Sequence, residues 1–311
     1  MLLLLLLLSN WLTDLAHAYP TANHTIHSRT TPAGFFRYRF FDDFSDLPAG
    51  SPPSTSKWTL DLGTSYPGGP PRWGTDELQT YTSDRSNIAI TDRQTLRITP
   101  IRRADGTWTS ARIETKARWD FGCLPGRRIR VEARIRLGDD PEPRQLGIWP
   151  AFWALGSDLR DDYWSWPGVG EIDFMESVNG EARARQAAHC GALGGPCHEF
   201  SGLDNNAGQH VERGEWHTFA WEVDRRHREW RDETLTWFVD GVQQWTLTKS
   251  NVYNKRAWKA LVRNKKMLLL NVAVGGGLPD AIAGVKTPTD ATAGGLGASM
   301  EVDYVVVVEL W

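Results

Sequence analysis

One short segment, which reads Glu-Ile-Asp-Phe-Met-Glu, carries three acidic residues, Glu171, Asp173 and Glu176. In a regular strand Glu171 and Asp173 share one face, whereas Glu176, five positions after Glu171, points to the other face. A β-bulge at Phe174 and Met175 would add one residue and return Glu176 to the face of the first two acids. The spacing therefore predicts three carboxylates on one wall of a cleft.

Clustered carboxylates are suited to the hydrolysis of glycosidic bonds. One ionised carboxylate attacks or stabilises the anomeric carbon, and one protonated carboxyl group donates to the leaving oxygen. If the carboxyl groups of Glu171 and Glu176 lie about 5–5.5 Å apart, no water fits between them and a covalent glycosyl intermediate is expected. Asp173 would tune their protonation and orient Glu171. A solvent-facing acidic strand is the alternative, but the apolar residues between the acids favour a half-buried segment.

The rest of the chain predicts the β-sheets that must hold this segment. Strand patterns with turn signals between them occur at residues 95–99, 128–137, 218–223, 235–239 and 267–274. In Arg128–Leu137 apolar and charged residues alternate strictly, as a half-buried antiparallel strand requires. Helical periodicity is scarce, and the Pro- and Gly-rich stretches 48–56, 66–71 and 275–297 are expected to be loops. We expect a single all-β domain built as a sandwich or jelly roll.

Composition and charge narrow the range of partners. The chain contains 16 tryptophans, of which some must be core and others can serve as platforms for the apolar faces of sugar rings. The formal net charge is −3, and no basic run stands out. Neither a nucleic acid nor an anionic membrane surface is therefore an expected partner.

The N-terminal residues indicate a secretory route. Leu2–Leu8 form an apolar run too short to span a bilayer, and small residues follow at Ala16 and Ala18. We interpret residues 1–18 as a signal peptide and residues 19–39 as an N-terminal extension of a secreted, extracellular protein. Asn23 begins an Asn-His-Thr glycosylation acceptor, a three-residue pattern that also arises by chance.

The acidic segment resembles the Glu-x-Asp-x-x-Glu active-site signature of glycoside hydrolase family 16, in its bulged, laminarinase-like form. Further segments that resemble the family, in the family's order, are residues 73–82, 110–116, 147–155, 216–219 and 270–276. The resemblance covers residues 40–311, which we interpret as the catalytic domain. It implies a concanavalin-like β-jelly-roll sandwich of two antiparallel sheets with an open substrate cleft. It also implies retaining endo-action on β-1,3-glucan or mixed β-1,3/1,4-glucan.

The resemblance also assigns roles to individual residues. By the matching motif, Glu171 is the nucleophile and Glu176 the acid/base, with Asp173 assisting. The substrate-binding residues that it implies are Trp149 and Trp153 as cleft aromatics, Trp73, Glu77 and Arg112 at glycone-side subsites, and His189 facing the substrate. One of the two alternate tryptophans on a strand can instead be core, and a lone histidine is more often structural.

The cysteines suggest one disulfide. Cys190 and Cys197 flank a Gly-rich loop, and in a secreted chain such a pair is expected to close the loop; fungal members of the family carry a similar segment. Cys123 is expected to be a buried free thiol. A metal site is not expected, because Cys190, Cys197 and His198 lack a fourth ligand at a usual spacing. No cofactor is expected either, although Asp303 could bind a structural calcium of the kind found in some relatives.

Two other functions stay open at this point. The chain could be a carbohydrate-binding protein without activity, although it keeps all three acids that catalysis needs. It could also apply the same chemistry to another polymer, such as β-1,3-galactan, or join wall glucans as a transglycosylase. The loops that shape the subsites decide between these substrates. We expect a monomer that acts on a β-linked polysaccharide.

Overall fold

A computed structural model of the chain describes residues 36–205, 208–227 and 229–310. The predicted signal peptide, residues 1–18, and the glycosylation acceptor Asn23 lie outside these residues. The predicted extension, residues 19–39, is described only from Phe36, where the first strand begins. Among the described residues, no helix has both the length and the apolar character that crossing a bilayer requires.

Strands dominate the described residues. In chain order they are β1 Phe36–Asp42, β2 Trp58–Asp61, β3 Thr80–Tyr81, β4 Ile88–Ile90, β5 Leu96–Ile98, β6 Ile101–Arg102, β7 Trp108–Ser110, β8 Arg112–Thr115, β9 Arg128–Leu137, β10 Ile148–Gly156, β11 Glu171–Glu176, β12 Arg183–His189, β13 Leu203–Asp204, β14 Gln209–His210, β15 Trp216–Asp224, β16 Thr234–Val239, β17 Val242–Thr248, β18 Lys266–Val274 and β19 Met300–Leu310. The helices are α1 Lys255–Val262 and α2 Gly277–Ala283, and short 3-10 turns lie at Pro71–Gly74, Ala117–Trp119, Glu142–Arg144, Ser157–Arg160, Trp230–Asp232 and Leu296–Ala298.

Two large antiparallel sheets form the body of the molecule. The cleft sheet has the order β13-β12-β11-β10-β18-β8-β2, with β14 paired to β12. The back sheet has the order β17-β16-β15-β9-β19-β5-β4, with β1 paired to β19. A third, smaller sheet has the order β3-β7-β6. The predicted all-β sandwich of two antiparallel sheets is confirmed.

The alternation of side chains explains how β9 packs at the centre of the back sheet. Its apolar residues, Ile129, Val131, Ala133, Ile135 and Leu137, all lie in the core, while the charged residues between them point to the other face. From the cleft sheet, Phe152 and Phe174 meet in the core with ring centroids 4.8 Å apart, and Phe174 lies 5.7 Å from Trp221 of the back sheet. The apolar core between the two sheets therefore includes part of the acidic strand.

The two helices were not predicted, and the expectation that residues 275–297 form only a loop was wrong because α2 lies within them. With 8 and 7 residues, α1 and α2 offer too few turns for a periodic pattern to stand out. Helix α1 begins at Asn254, whose side chain accepts the backbone N–H groups of Arg256 and Ala257. This N-cap satisfies donors that the first helical turn leaves unpaired.

Candidate active site

The register of β11 contains the irregularity that the acid spacing predicts. The pairing with β10 shifts between Phe152 and Trp153, so that Phe174 has no partner of its own. Opposite the acids lie residues of β10 that are spaced two apart and so share one face: Leu155 opposite Glu171, Trp153 opposite Asp173, and Ala151 opposite Glu176. The three carboxylates therefore lie on one face of the cleft sheet, as a β-bulge requires.

The residues of the bulge pack into the apolar core between the two sheets. Phe174 and Met175 are both fully buried, so the added residue places two successive apolar side chains on the core side. Trp237 of the back sheet donates its Nε1–H to the backbone carbonyl of Asp173 over 2.9 Å. This bond crosses between the sheets and gives the backbone at the bulge a buried partner.

A cavity of about 770 Å³ opens over this face of the cleft sheet. All nine residues predicted to form the site line it: Trp73, Glu77, Arg112, Trp149, Trp153, Glu171, Asp173, Glu176 and His189. Residues from distant parts of the sequence are therefore brought together around the acidic strand.

Trp149 and Trp153 lie four residues apart on β10, and both face the cleft. Neither therefore belongs to the core between the two sheets. Trp149 donates its Nε1–H to an oxygen of Glu176 over 2.9 Å. Trp153 donates to the side-chain oxygen of Asn271 over 2.8 Å. Each indole is half-buried and leaves part of its surface to the cavity. Trp149 is thus bonded to a carboxylate of β11, whereas Trp153 is bonded to Asn271 of the neighbouring strand β18.

Arg112 forms the base of one end of the cleft. Its guanidinium lies 4.5 Å from the ring centroid of Trp73 and 4.9 Å from that of Trp153. It also donates to Asp61 over 3.0 Å. Burial raises the pKa of Asp61 to about 6, although the charge of Arg112 opposes this shift. The arginine therefore supports aromatic surfaces from below and is itself buried.

Trp73 and Glu77 differ in what they offer to a ligand. The carboxylate of Glu77 accepts three side-chain bonds, from Thr75 at 2.7 Å, Gln79 at 2.6 Å and Tyr81 at 3.0 Å. The buried Nε1–H of Trp73 has no partner within the described part of the chain. Because this nitrogen is shielded from solvent, Trp73 offers a ligand its ring surface rather than a donor.

His189 faces the acids from the neighbouring strand. Its Nε2 lies 3.5 Å from an oxygen of Asp173 and 3.9 Å from one of Glu171, and its Nδ1 lies 2.7 Å from Glu199. Burial opposes protonation of the ring, but the bond to Glu199 and the nearby acids outweigh burial and raise the pKa of His189 to about 10. The ring is thus a cation within the cleft over the neutral pH range.

The three acids hold their protons more tightly than ordinary carboxyl groups. Burial is the main cause, and it raises the pKa of Glu171 to about 7, with His189 opposing and Glu176 reinforcing the shift. Burial also raises the pKa of Asp173, where the charge of Glu171 adds to the effect. The pKa of Glu176 is raised by burial against the opposing charge of His189 and the bond from Trp149. Protons are therefore shared within the cluster at neutral pH.

Sequence reasoning missed five residues of the site. Trp166 donates its Nε1–H to Glu171 over 3.2 Å, and Phe200, which is 72% exposed, stacks on Trp166 at 6.0 Å. Tyr66 and Tyr163 stack at 4.3 Å on the cleft wall, and Glu199 binds His189. The aromatic run at residues 163–166 was a usable signal. The sequence contains no signal for Glu199, because its contact with His189 forms only in the folded chain.

The predicted disulfide is confirmed. Cys190 and Cys197 are joined with a Cα–Cα distance of 5.4 Å. Cys123 is a buried free thiol, as predicted, and burial raises its pKa to about 12. Asp303 accepts a bond from Arg134 over 2.8 Å, so this carboxylate already has a cationic partner, and its role as a calcium ligand stays a prediction.

The donor atoms of Glu171, Asp173 and His189 lie within 4.8 Å of one another. This distance would suit a shared cation. A metal at this position would have to displace the Nε2 proton of His189, because a histidine ligand must offer a lone pair.

Comparison with known proteins identifies the family. Residues 78–213 match a family model described as "XgeA-like, catalytic GH16 domain". The crystal structure of an endo-1,3-beta-glucanase from Streptomyces sioyaensis is similar to this chain, with a TM-score of 0.82 and 40% sequence identity over 91% of this chain and 99% of that one. The chain belongs to glycoside hydrolase family 16. The family predicted from the acidic motif is thereby confirmed.

Curated relatives of this family 16 chain differ in length from it. The glucan endo-1,3-beta-glucosidase A1 of Niallia circulans is 30% identical over 276 residues, which cover 83% of this chain but 36% of that protein. The glucan endo-1,3-beta-glucosidase of Cryptopygus antarcticus is 28% identical over 242 residues, which cover 71% of this chain and 75% of that protein. The similarity thus extends over most of this chain in both cases.

Proposed function

We propose that this chain is a retaining endo-glycosidase that hydrolyses β-1,3-glucan or mixed β-1,3/1,4-glucan by double displacement. The observation that carries this proposal is the bulge in β11, which places Glu171, Asp173 and Glu176 on one face beneath an aromatic cleft. The names of the two curated relatives and of the Streptomyces sioyaensis enzyme support the choice of a β-1,3-linked glucan.

In the first step, Glu171 is the nucleophile. Its ionised carboxylate attacks the anomeric carbon and forms a glycosyl ester, while the carboxyl proton of Glu176 moves to the glycosidic oxygen and the aglycone leaves as an alcohol. Trp166 and His189 both lie beside Glu171 and favour its ionised form. Burial raises the pKa of Glu176, which favours the protonated form that can donate to the leaving oxygen.

In the second step, Glu176 acts as a base. Its carboxylate takes a proton from water, the water oxygen attacks the anomeric carbon, and the ester to Glu171 breaks. The carboxyl proton returns to Glu176 and the product keeps the anomeric configuration of the substrate. Asp173 lies between Glu171 and Glu176 on β11. It exchanges protons with them and orients Glu171.

The aromatic side chains of the cleft supply the binding surface for the polymer. Trp73 and Trp153 lie over Arg112 at one end, and the pair of Trp166 and Phe200 lies near the acids. Apolar faces of successive sugar rings pack on such surfaces, while the hydroxyl groups bond to polar atoms around them. A cleft of this kind is suited to endo-action on a chain.

Product analysis tests this proposal and separates it from its alternatives. Purified protein is incubated with laminarin, barley mixed-linkage glucan and β-1,3-galactan, beside Glu171→Gln and Glu176→Gln variants. Release of oligosaccharides from a glucan, lost in both variants, is the expected result. Release only from galactan would move the assignment to another polymer, and products longer than an added oligosaccharide acceptor would indicate a transglycosylase. Affinity for laminarin without any product would indicate a binding protein.

Azide rescue distinguishes the two glutamates from each other. In Glu171→Ala, azide enters the space of the nucleophile and attacks the anomeric carbon of an activated β-glycoside, so the expected product is the α-glycosyl azide. In Glu176→Ala, azide attacks the glycosyl ester on Glu171, so the expected product is the β-glycosyl azide. The opposite pattern would exchange the two roles, and NMR spectroscopy of the products decides between them.

We further propose that the enzyme is secreted and acts as a monomer outside the cell. The disulfide between Cys190 and Cys197 supports an oxidising compartment. Expression in a secreting host, followed by N-terminal sequencing and size-exclusion chromatography, tests this proposal. The expected mature protein begins near Tyr19 and elutes at the mass of one chain. An enzyme that removes N-linked glycans should lower the mass of this protein but not that of an Asn23→Gln variant, and this result would establish the glycan.

A further inference from the structure

Glu199 is a buried carboxylate that the reaction steps described above do not use. Its side chain is 0% exposed. One carboxylate oxygen lies 2.7 Å from Nδ1 of His189, and the other accepts the backbone N–H of Cys190 at 2.7 Å. Because both oxygens are engaged, the carboxylate is fixed in position and so fixes the neighbouring ring.

The ring of His189 is also confined on its other sides. The ring of Trp166 lies 5.6 Å away, centroid to centroid, at an angle of 44°. Gly202 packs so closely that a Cβ atom there would lie 2.6 Å from Cε1 of His189, and its φ of +74° also favours glycine. The ring therefore keeps its Nε2 directed toward the acids of β11.

The protonation of this ring follows from its neighbours. Since an ionised Glu199 can only accept a hydrogen bond, Nδ1 of His189 carries a hydrogen. A neutral ring would then direct the Nε2 lone pair at Asp173 and Glu171, which lie 3.5 and 3.9 Å away, and would be repelled by either carboxylate in its ionised form. A second proton on Nε2 turns this repulsion into attraction.

We propose that Glu199 is a positioning residue, which orients His189 and keeps its ring protonated so that an imidazolium faces Glu171 and Asp173. This inference rests on the proposed function, because a cation here aids the reaction only if Glu171 must ionise to attack. Glu199 itself does not touch the substrate. It acts through the histidine.

The sign of the expected effect depends on the charges around His189 and the acids of β11. These charges are Glu171, Asp173 and Glu176 on β11, Arg185 on β12, Asp204 on β13, Arg112 on β8, and Glu199 in the loop after β12. For Glu171, the charge of His189 lowers the pKa more than the charge of Glu199 raises it. Loss of the Glu199 charge, followed by loss of the histidine proton, therefore leaves Glu171 harder to ionise.

The direct test is the titration of the His189 ring, followed by NMR in the folded protein without substrate. In the wild-type chain we expect the ring to stay protonated to a pH of about 10. In Glu199→Gln, which keeps the shape of the side chain but not its charge, the midpoint is expected to fall by about three pH units, to below the pKa of Glu171 at about 7. An unchanged midpoint would overturn the proposal. This measurement does not depend on whether any polymer is cleaved.

The pH dependence of kcat/KM tests the link from His189 to the reaction. In Glu199→Gln the acidic limb is expected to move upward by about one pH unit, which corresponds to about a tenfold loss of activity on that limb. His189→Gln leaves Glu199 as an uncompensated anion and is expected to move the limb further. A lower His189 midpoint with an unmoved acidic limb would overturn the link. Failure of the proposed function itself would appear as no cleavage in the wild-type chain.

The chain offers a matched control outside the cleft. His217 and Asp240 form another pair at 2.7 Å, and Asp240 is half exposed at the turn after β16. Asp240→Asn removes the same kind of charge and is expected to leave the pH profile unchanged. If Glu199→Gln does not fold, Glu199→Asp replaces it; this variant keeps the charge at a longer distance, so a smaller fall in the His189 midpoint is expected, and no fall would overturn the proposal.

Discussion

The back sheet and the strand β11 of the cleft sheet both direct acidic side chains away from the core, but these acids have different surroundings. Three acids of the back sheet each have an arginine of β9 beside them: Glu132 lies 2.5 Å from Arg130, Glu301 lies 2.5 Å from Arg136, and Asp303 lies 2.8 Å from Arg134. On the cleft sheet, Glu171 and Asp173 share the single ring of His189, at 3.9 and 3.5 Å.

This difference separates structural acids from reactive ones. A buried acid with its own arginine is compensated, and removal of either partner leaves an uncompensated charge. The acids of β11 are packed together instead, so burial raises the pKa of each and a proton remains in the cluster at neutral pH. The environment of an acid, more than its presence on a strand, therefore indicates its role.

The sharpest way to break this comparison is to neutralise one acid on each sheet. Glu176→Gln is expected to lower kcat/KM on laminarin by roughly a thousandfold or more, because the variant has no proton to donate to the leaving oxygen. Glu132→Gln is expected to keep near wild-type kcat/KM but to lower the free energy of unfolding by about 2 kcal/mol, because Arg130 loses one of its two carboxylate partners and keeps Glu222. Steady-state kinetics and denaturant unfolding measure the two effects.

The comparison fails if the two variants behave alike. A loss of activity in Glu132→Gln, with the protein folded at the assay temperature, would mean that the back-sheet pairs also affect the site. A stability loss in Glu176→Gln as large as that in Glu132→Gln would mean that the cleft acid is compensated after all. Glu301→Gln, from the next pair on the sheet, serves as a second structural control.

Much of this arrangement could be predicted from the sequence because it follows from local periodicity. Strict alternation in Arg128–Leu137 places charges on one face of a strand, and the structure has a strand with these bounds. The spacing of Glu171 and Glu176 requires one added residue if both are to share a face, and the register supplies it. Side-chain direction within a strand is fixed by geometry, so these predictions needed no knowledge of the tertiary structure.

The parts that escaped prediction depend on contacts between distant segments. Trp237 is bonded to the carbonyl of Asp173 from the other sheet, and the two are 64 residues apart in sequence. Glu199 pairs with His189 only because the loop closed by the disulfide folds back. Periodicity within a segment carries no information about which loop returns to it. The helices were missed for another reason, since each is shorter than the pattern that identifies a helix.

The pH dependence of stability sharpens the comparison with a smaller effect. Burial raises the pKa of Glu171 from 4.5 to about 7, so the folded chain binds this proton more tightly than the unfolded chain does. The resulting stability is complete below pH 4.5 and is lost as the pH rises through about 7. Glu171→Gln cannot ionise and is therefore expected to be more stable than the wild type at pH 8, by about 3 kcal/mol, but not at pH 4.

Denaturant unfolding at pH 4 and pH 8 measures this difference. Glu132→Gln should instead be less stable than the wild type at pH 8, because Arg130 loses the carboxylate of Glu132 as a partner. If Glu171→Gln were less stable than the wild type at pH 8, the ionised carboxylate would be stabilised by its neighbours. The view that the cleft acids are held at a cost in stability would then be wrong for Glu171.

The smallest expected effect concerns how the cleft aromatics act on the acids. Trp149→Phe removes the donor 2.9 Å from Glu176, whereas Trp153→Phe removes a bond to Asn271 and no bond to a carboxylate. Because the Trp149 bond lowers the pKa of Glu176, its loss should move the alkaline limb of kcat/KM upward and lower the maximum about tenfold. Trp153→Phe should raise KM with both limbs in place. Equal pH profiles in the two variants would mean that Trp149, like Trp153, contributes only binding surface to the cleft.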